Sequence, residues 1–302
     1  MRILVTGSSG LIGRALTASL GVGGHEVVRL VRGEAPLQRG EFRWRPEAGI
    51  IDEAAFEGVE GVVHLAGQSI ASGRWTPKLK ASIRESRVRG TRLLSDALAR
   101  CARRPRVLLS ASAIGYYGNR GDEPLREESR PGEGFFPEIC IAWEGATRPA
   151  QDAGVRVVHL RFGIVLSDDG GAFQRMLLPF RLGLGGRLGS GGQTMSWVAI
   201  DDAIGAALHA LSRNDIEGPL NVVAPNPVTN ETFTRTLGSV LGRPTLFPLP
   251  APLLRFALGA EMADALLLSS ARVLPARLAR SGYAFGAPDL RQALRRILRR
   301  AA

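Results

Sequence analysis

Arg2-Ile-Leu-Val-Thr-Gly-Ser-Ser-Gly-Leu-Ile-Gly-Arg14 joins an apolar run to glycines at 7, 10 and 13 and then to a helical pattern. Ile3, Leu4 and Val5 suit a parallel strand covered on both faces. A turn with few side chains after such a strand lets backbone N–H groups and a helix N-terminus approach a pyrophosphate. The glycines serve different ends. Gly7 makes the tight turn, Gly10 admits the phosphate, and Gly13 lets the helix starting near Leu11 pack against the sheet. Ser9, Leu11 and Ile12 complete the loop. The segment therefore reads as a dinucleotide site, and Leu16 to Leu20 and a second strand from Glu26 to Val31 continue the pattern.

Farther along, strands are predicted near 41–44, 61–66, 106–111 and 155–161, with helices near 11–20, 76–103 and 138–153. This alternation implies an α/β fold, a doubly wound parallel sheet whose ligand lies at the carboxyl ends of the strands near the switch point. Beyond about residue 165, Gly170-Gly171, the glycines between 183 and 192, and prolines at 225, 227, 244, 248, 250 and 252 punctuate shorter elements. The reading is a core at 1–165, a substrate-side lobe at 166–247 interleaved with it, and a small, mostly helical C-terminal region at 248–302. The glycine-rich 183–192 loop could cradle an anionic substrate, and is read in preference as a mobile lid or a plain connection.

With 302 residues, 45% of them hydrophobic, the chain is long enough for one large unit with a small appendage. No apolar run suggests a membrane span and the first residues form a strand instead of a secretion signal, so a soluble protein is expected. Cys101 and Cys140 are too few for a disulfide scaffold and lack metal spacing, which points to a reducing cytoplasm. The net charge of +11 could suggest nucleic acid. The arginines are instead spread along the chain with no aromatic interleaving, and Lys occurs only at 78 and 80. The pairs Arg103-Arg104, Arg295-Arg296 and Arg299-Arg300 read as helix-end and exposed-face charges.

The spacing Gly-x-x-Gly-x-x-Gly in Thr6-Gly-Ser-Ser-Gly-Leu-Ile-Gly13 resembles the extended and atypical short-chain dehydrogenases/reductases, which include sugar-nucleotide epimerases and dehydratases. Val62-Val-His-Leu-Ala-Gly67 looks like the fourth strand of that family with its cofactor turn, so Leu65, Ala66 and Gly67 join the cofactor set. Leu108-Leu-Ser-Ala-Ser112 with Tyr116-Tyr-Gly118 looks like the fifth strand and active-site loop, and Val157-Val-His-Leu-Arg-Phe-Gly163 like the sixth. Ser196-Trp-Val-Ala-Ile-Asp-Asp202 and Gly218-Pro-Leu-Asn-Val-Val223 match late segments. The tail, through Val273-Leu-Pro275 and Gly282-Tyr-Ala-Phe285, is similar to an epimerase-like subgroup with a small C-terminal region. The resemblance covers nearly the whole chain and implies a Rossmann-like fold and nicotinamide chemistry.

Cofactor choice turns on the end of strand two, where an acidic residue favours NAD and an arginine can pair with a 2′-phosphate. The strand ends Leu30-Val-Arg32, which makes Arg32 the candidate 2′-phosphate ligand and NADP(H) the expected cofactor. Glu34, folded back, would favour NAD instead.

The family normally uses a Tyr and a Lys four residues apart, the Lys lowering the Tyr pKa for proton exchange with the substrate. The corresponding helix reads Phe135-Phe-Pro-Glu-Ile-Cys-Ile-Ala-Trp-Glu144. One register puts Phe136 at Tyr and Cys140 at Lys; the other puts Cys140 at Tyr and Glu144 at Lys. Neither keeps the pair. Ser112 remains as a hydroxyl able to polarise a carbonyl, and Tyr117, or its neighbour Tyr116, as a phenol. The alternatives are a strand-end cap for Ser112 and packing for the tyrosines. Cys140 is read as buried packing, His64 and His159 as core histidines, and Asp201-Asp202 as a helix N-cap. Arg74, Arg84 and Arg87 could attract an anionic substrate or simply line an exposed helix face. Arg87 stands where many relatives carry Asn. The reading is an NADP(H)-binding oxidoreductase or epimerase-like protein acting on a small molecule, or a non-enzymatic NADP(H) sensor or interaction protein.

Overall fold

The computed structural model describes residues 1–299, so Arg300 and the end of the 248–302 region lie outside the described residues. Its first half alternates β1 (Arg2–Thr6), α1 (Leu11–Val22), β2 (Glu26–Val31), β3 (Glu41–Arg45), β4 (Ile50–Ile51), β5 (Gly61–His64), α2 (Pro77–Arg100) and β6 (Val107–Ala113). After these come α3 (Phe135–Gly145), α4 (Arg148–Asp152), β7 (Arg156–Phe162) and, much later, β8 (Gly218–Val222). The strands form one sheet in the order β8-β7-β6-β5-β1-β2-β3-β4. Pairs β1–β2, β1–β5, β2–β3 and β5–β6 are parallel, and the short β4 turns back antiparallel on β3. This is the expected Rossmann-like arrangement, with its switch point at β1.

Register decides what this sheet can present. Thr6 pairs with both Leu30 and His64, and His64 pairs with Ser110. Thr6, Leu30, His64 and Ser110 are therefore level, so Gly7, Arg32 and Leu65, just past β1, β2 and β5, and Ser112, near the end of β6, lie along one edge.

Two compact units are discontinuous in sequence. The first comprises residues 1–112, 139–160 and 207–220; the second comprises 113–138, 161–206 and 221–302. The boundaries expected at 165 and 247 divide the chain in sequence order instead. In the first unit, Leu4, Val28, Leu30, Trp44, Val62, Leu94, Leu98, Leu108 and Val157 form a core. In the second, Phe173, Leu177, Phe180, Trp197, Phe233 and Leu237 share a cluster with Leu290, Ala293, Leu294 and Ile297 of the last helix, Leu290–Arg299. The C-terminal region is helical and contributes to that core.

The single helix expected over 138–153 is two. Pro149 has no N–H to give to the carbonyl four residues back, so the first helix ends at Gly145 and a short second one begins at Arg148. Thr147 Oγ1 donates to the Glu144 carbonyl at 2.7 Å and lies 2.9 Å from His159 Nε2, which completes the break. His159 is thus structural, as expected. The Asp201-Asp202 reading changes more. Both lie in the first turn of the helix Ile200–Ser212. Asp202, however, is buried and accepts from the N–H groups of Gly286 (2.7 Å) and Ala287 (3.0 Å), while Asp201 pairs with Arg296. The carboxylate holds the C-terminal segment instead of capping its own helix. The 183–192 loop is tied down by Gly189 N–H to Leu249 O and by Leu188 N–H to Asn230 Oδ1, as a connection would be.

Candidate functional site

Gly7 has φ +68°, and a Cβ there would lie 2.8 Å from Ala66 N and Leu65 C. Only glycine fits this turn, because it is both left-handed and pressed against the 65–66 segment. Gly13 is as constrained, although by a different neighbour than the sequence suggests: its Cβ would meet the Gly7 carbonyl oxygen and Ser8 Cα rather than the sheet. A Cβ on Gly10 would meet only Gly7 O, at 3.3 Å. The middle glycine therefore opens outward, at the extended N-cap of α1, where the first helical N–H groups have no intrahelical acceptors. This cradle fits a pyrophosphate: glycine where a side chain would intrude, free N–H groups, and the positive end of a helix dipole.

The second side of the cradle is pinned by a buried chain of hydrogen bonds. Ala66 N–H donates to Thr6 Oγ1 (3.3 Å), Thr6 Oγ1 lies 2.7 Å from His64 Nδ1, and His64 Nε2 lies 2.9 Å from Thr91 Oγ1 on α2. Burial pushes the His64 imidazole down from 6.5 to about 4, so it stays neutral. His64 is a core histidine, as the sequence suggests, and one that positions the cofactor turn.

At the end of β2, Arg32 is exposed. Glu34 does not fold back: it pairs with Arg45 (Nη2 to Oε1, 2.6 Å), while Arg43 donates to the carbonyls of Gly33 and Ala35. Two arginines of β3 thus hold the loop and occupy the one acid that would favour NAD.

Ser112, at the end of β6, is buried, and its Oγ donates to Glu144 Oε1 at 2.6 Å. Glu144 is half-buried on α3. Sequence reasoning places Glu144 only by register with the missing Lys and does not pair it with Ser112. Cys140, one turn earlier on the same helix face, is buried, as expected. Arg87 enters from α2. Its guanidinium carbon is 5.0 Å from the centroid of the Trp143 ring, and a Cβ on Gly67 would touch Arg87 Cγ and Cζ at 3.5 Å. Arg74 and Arg84 are exposed, so only Arg87 of the three is drawn inward.

The second unit holds the tyrosines. Tyr117 is fully buried; its hydroxyl donates to Asn221 Oδ1 (2.7 Å) and accepts from Arg161 Nη1 (3.0 Å), and burial pushes the phenol up to about 12. Such a phenol is a poor proton carrier at neutral pH, and the geometry gives it the packing role that the sequence leaves open. Tyr116 lies under the Arg161 guanidinium, whose central carbon is 3.5 Å from the ring centroid. Phe136 presses on Gly115, where a Cβ would meet its ring. Among the described residues, no group of three or more His, Cys, Asp or Glu could hold a metal ion, and no helix is long and apolar enough to cross a membrane.

The profile of the NAD dependent epimerase/dehydratase family matches residues 3–223, and that of a domain of unknown function (DUF1731) matches 249–297. The chain is 44% identical over 292 residues to "Epimerase family protein Mb2239" of Mycobacterium bovis, spanning 97% of this chain and 96% of that protein. It is 38% identical over 304 residues to the human "Epimerase family protein SDR39U1", at 99% and 100% coverage. The crystal structure of human SDR39U1 (isoform2) with NADPH superposes with a TM-score of 0.90 at 36% identity, covering 99% of each chain.

Proposed function

The chain belongs to the NAD dependent epimerase/dehydratase family, and from that premise we propose that it binds NADP(H) and transfers hydride to or from a small organic molecule, with Ser112 and Glu144 carrying the proton. The observation that carries the reading is the Ser112–Glu144 hydrogen bond at the end of β6, on the same sheet edge as the glycine cradle after β1. An NADPH-bound relative and the exposed Arg32, with Glu34 occupied by Arg45, support NADP(H) over NAD(H).

Gly7 to Gly13 and the N-terminus of α1 would hold the pyrophosphate, Leu65 to Gly67 would line the nicotinamide side, and Arg32 the 2′-phosphate. When bound, the cofactor supplies a two-electron hydride donor or acceptor. Ser112 already directs its own proton to Glu144, which leaves the lone pairs of Oγ to accept the hydroxyl proton of an alcohol. As the C–H hydride departs, Ser112 takes that proton and hands its own to Glu144. Carbonyl reduction runs the same steps backward. One half-reaction makes an oxidoreductase; both, at one carbon, make an epimerase.

The absence of the Tyr/Lys pair in either register of Phe136, Cys140 and Glu144 favours a second reading, a non-enzymatic NADP(H) sensor or interaction protein. Calorimetric titration with NADPH and NADH, followed by a panel of alcohols and carbonyl compounds monitored through reduced-nicotinamide absorbance, tests both. Tight NADPH binding with turnover supports the enzyme, tight binding without turnover the sensor, and no NADPH binding overturns the cofactor assignment.

A further inference from the structure

Arg87 is a guanidinium taken partly out of water without a carboxylate to meet it. Nη1 donates to the carbonyl of Ile83 (3.1 Å), and the group stacks near Trp143. Among the described residues no acidic side chain pairs with it. Other arginines of this unit do pair: Arg29 with Glu41, Arg45 with Glu34, and Arg100 with Glu53. Burial pushes the Arg87 pKa down from its ordinary value, with Cys140 acting in the opposite direction. One carbonyl and one indole face are poor compensation for a desolvated cation. Most of the five guanidinium N–H donors remain for an anion.

The position says which anion. Arg87 abuts Gly67, at the end of the turn that follows β5, and faces the stretch of α3 that carries Cys140 and, one turn on, Glu144. On the cofactor reading above, the α1 N-terminus and Arg32 would meet the dinucleotide's pyrophosphate and 2′-phosphate. We propose that Arg87 binds the carboxylate or phosphate of the substrate, so that the site takes small organic anions whose reacting hydroxyl or carbonyl lies within a few bonds of the acid group. This rests on the hydride-transfer reading. Arg87 fixes the acid group, and the neighbouring carbon is presented to the Ser112–Glu144 pair.

The test uses the full chain loaded with NADP⁺ and three probe anions (oxamate, malonate and inorganic phosphate) titrated by calorimetry, together with NADPH affinity and thermal stability. Arg87→Met keeps the length of the side chain and removes the charge. It is expected to weaken the best-bound probe by roughly tenfold or more, the worth of a charge-assisted contact. NADPH affinity should stay within about threefold and the melting temperature should not fall, because an unpaired cation is lost. Arg87→Lys should retain part of the binding and serves if the Met variant does not fold. A tenfold loss of NADPH affinity would assign Arg87 to a cofactor phosphate and overturn the proposal. So would probe binding that survives Arg87→Met, a lower melting temperature with binding intact, or a wild type that binds none of the probes at tens of millimolar. Failure of the wild type to bind NADPH would instead overturn the cofactor reading itself.

Discussion

The Ser112 hydroxyl donates to the Glu144 carboxylate at 2.6 Å across 32 positions of sequence, joining the end of β6 to α3. If this is the proton route, Ser112→Ala should lower turnover on an identified substrate by on the order of 10²-fold, the lower end for a positioned proton carrier. NADPH affinity should hardly change. Glu144→Gln should show a loss of similar size, whereas Cys140→Ala should keep cofactor binding and most activity. Steady-state kinetics decides it, and abolition of turnover by Cys140→Ala alone would move the chemistry to the thiol.

The three loop glycines should fail in different ways. A Cβ on Gly10 meets only Gly7 O at 3.3 Å and its φ is ordinary, so Gly10→Val should fold and yet fail to bind dinucleotide, since its methyl groups fill the phosphate space. Gly13→Ala places a methyl against the Gly7 carbonyl and should lower the melting temperature. Calorimetry with NADPH and thermal denaturation on both variants separate cradle from scaffold. Unchanged affinity in a folded Gly10→Val would take Gly10 out of the site.

What the sequence shows clearly is local. The loop from Gly7 to Gly13 is legible because its requirements, a positive φ and two close approaches, fall on residues a few positions apart, and the edge holding Arg32, Leu65 and Ser112 follows from strand–helix alternation. The Ser112–Glu144 pair needs contacts over 32 positions, and the burial of Tyr117 against Asn221 needs 104. No periodicity encodes either. Pro149 does carry a local signal, a helix break, that the apolar pattern on both sides obscures. Asp202 resembles an N-cap because its partners, the N–H groups of Gly286 and Ala287, are backbone groups that any residue could supply.

Arg32→Ala should weaken NADPH by roughly 10- to 150-fold and leave NADH nearly unchanged, because a charge-assisted contact to the 2′-phosphate is worth about 1.5–3 kcal/mol. Arg45→Ala tests the same edge from behind. It releases Glu34, and the freed carboxylate should narrow the preference for NADPH over NADH. Paired titrations with the two cofactors check both variants, and equal losses for NADPH and NADH in Arg32→Ala would contradict the assignment.

The buried imidazole of His64 should make the protein acid-labile in a defined window. Its folded pKa is near 4 against an ordinary 6.5, so as pH falls the unfolded chain takes up the proton first. The stabilisation is therefore fully present above about pH 6.5, is lost progressively toward pH 4, and changes no further below that, amounting to about 3 kcal/mol in order of magnitude. Carboxylates titrate in the lower part of the same range, so the measurement is a difference. Urea unfolding of wild type and His64→Gln at pH 7.5 and about pH 4.5 should give a smaller loss of stability on acidification in the variant. Because Thr6 links His64 to Ala66 N–H in the cofactor turn, NADPH affinity of the wild type should fall over the same interval more steeply than that of the folded variant. Parallel losses in the two proteins would show that the imidazole is not the group that titrates.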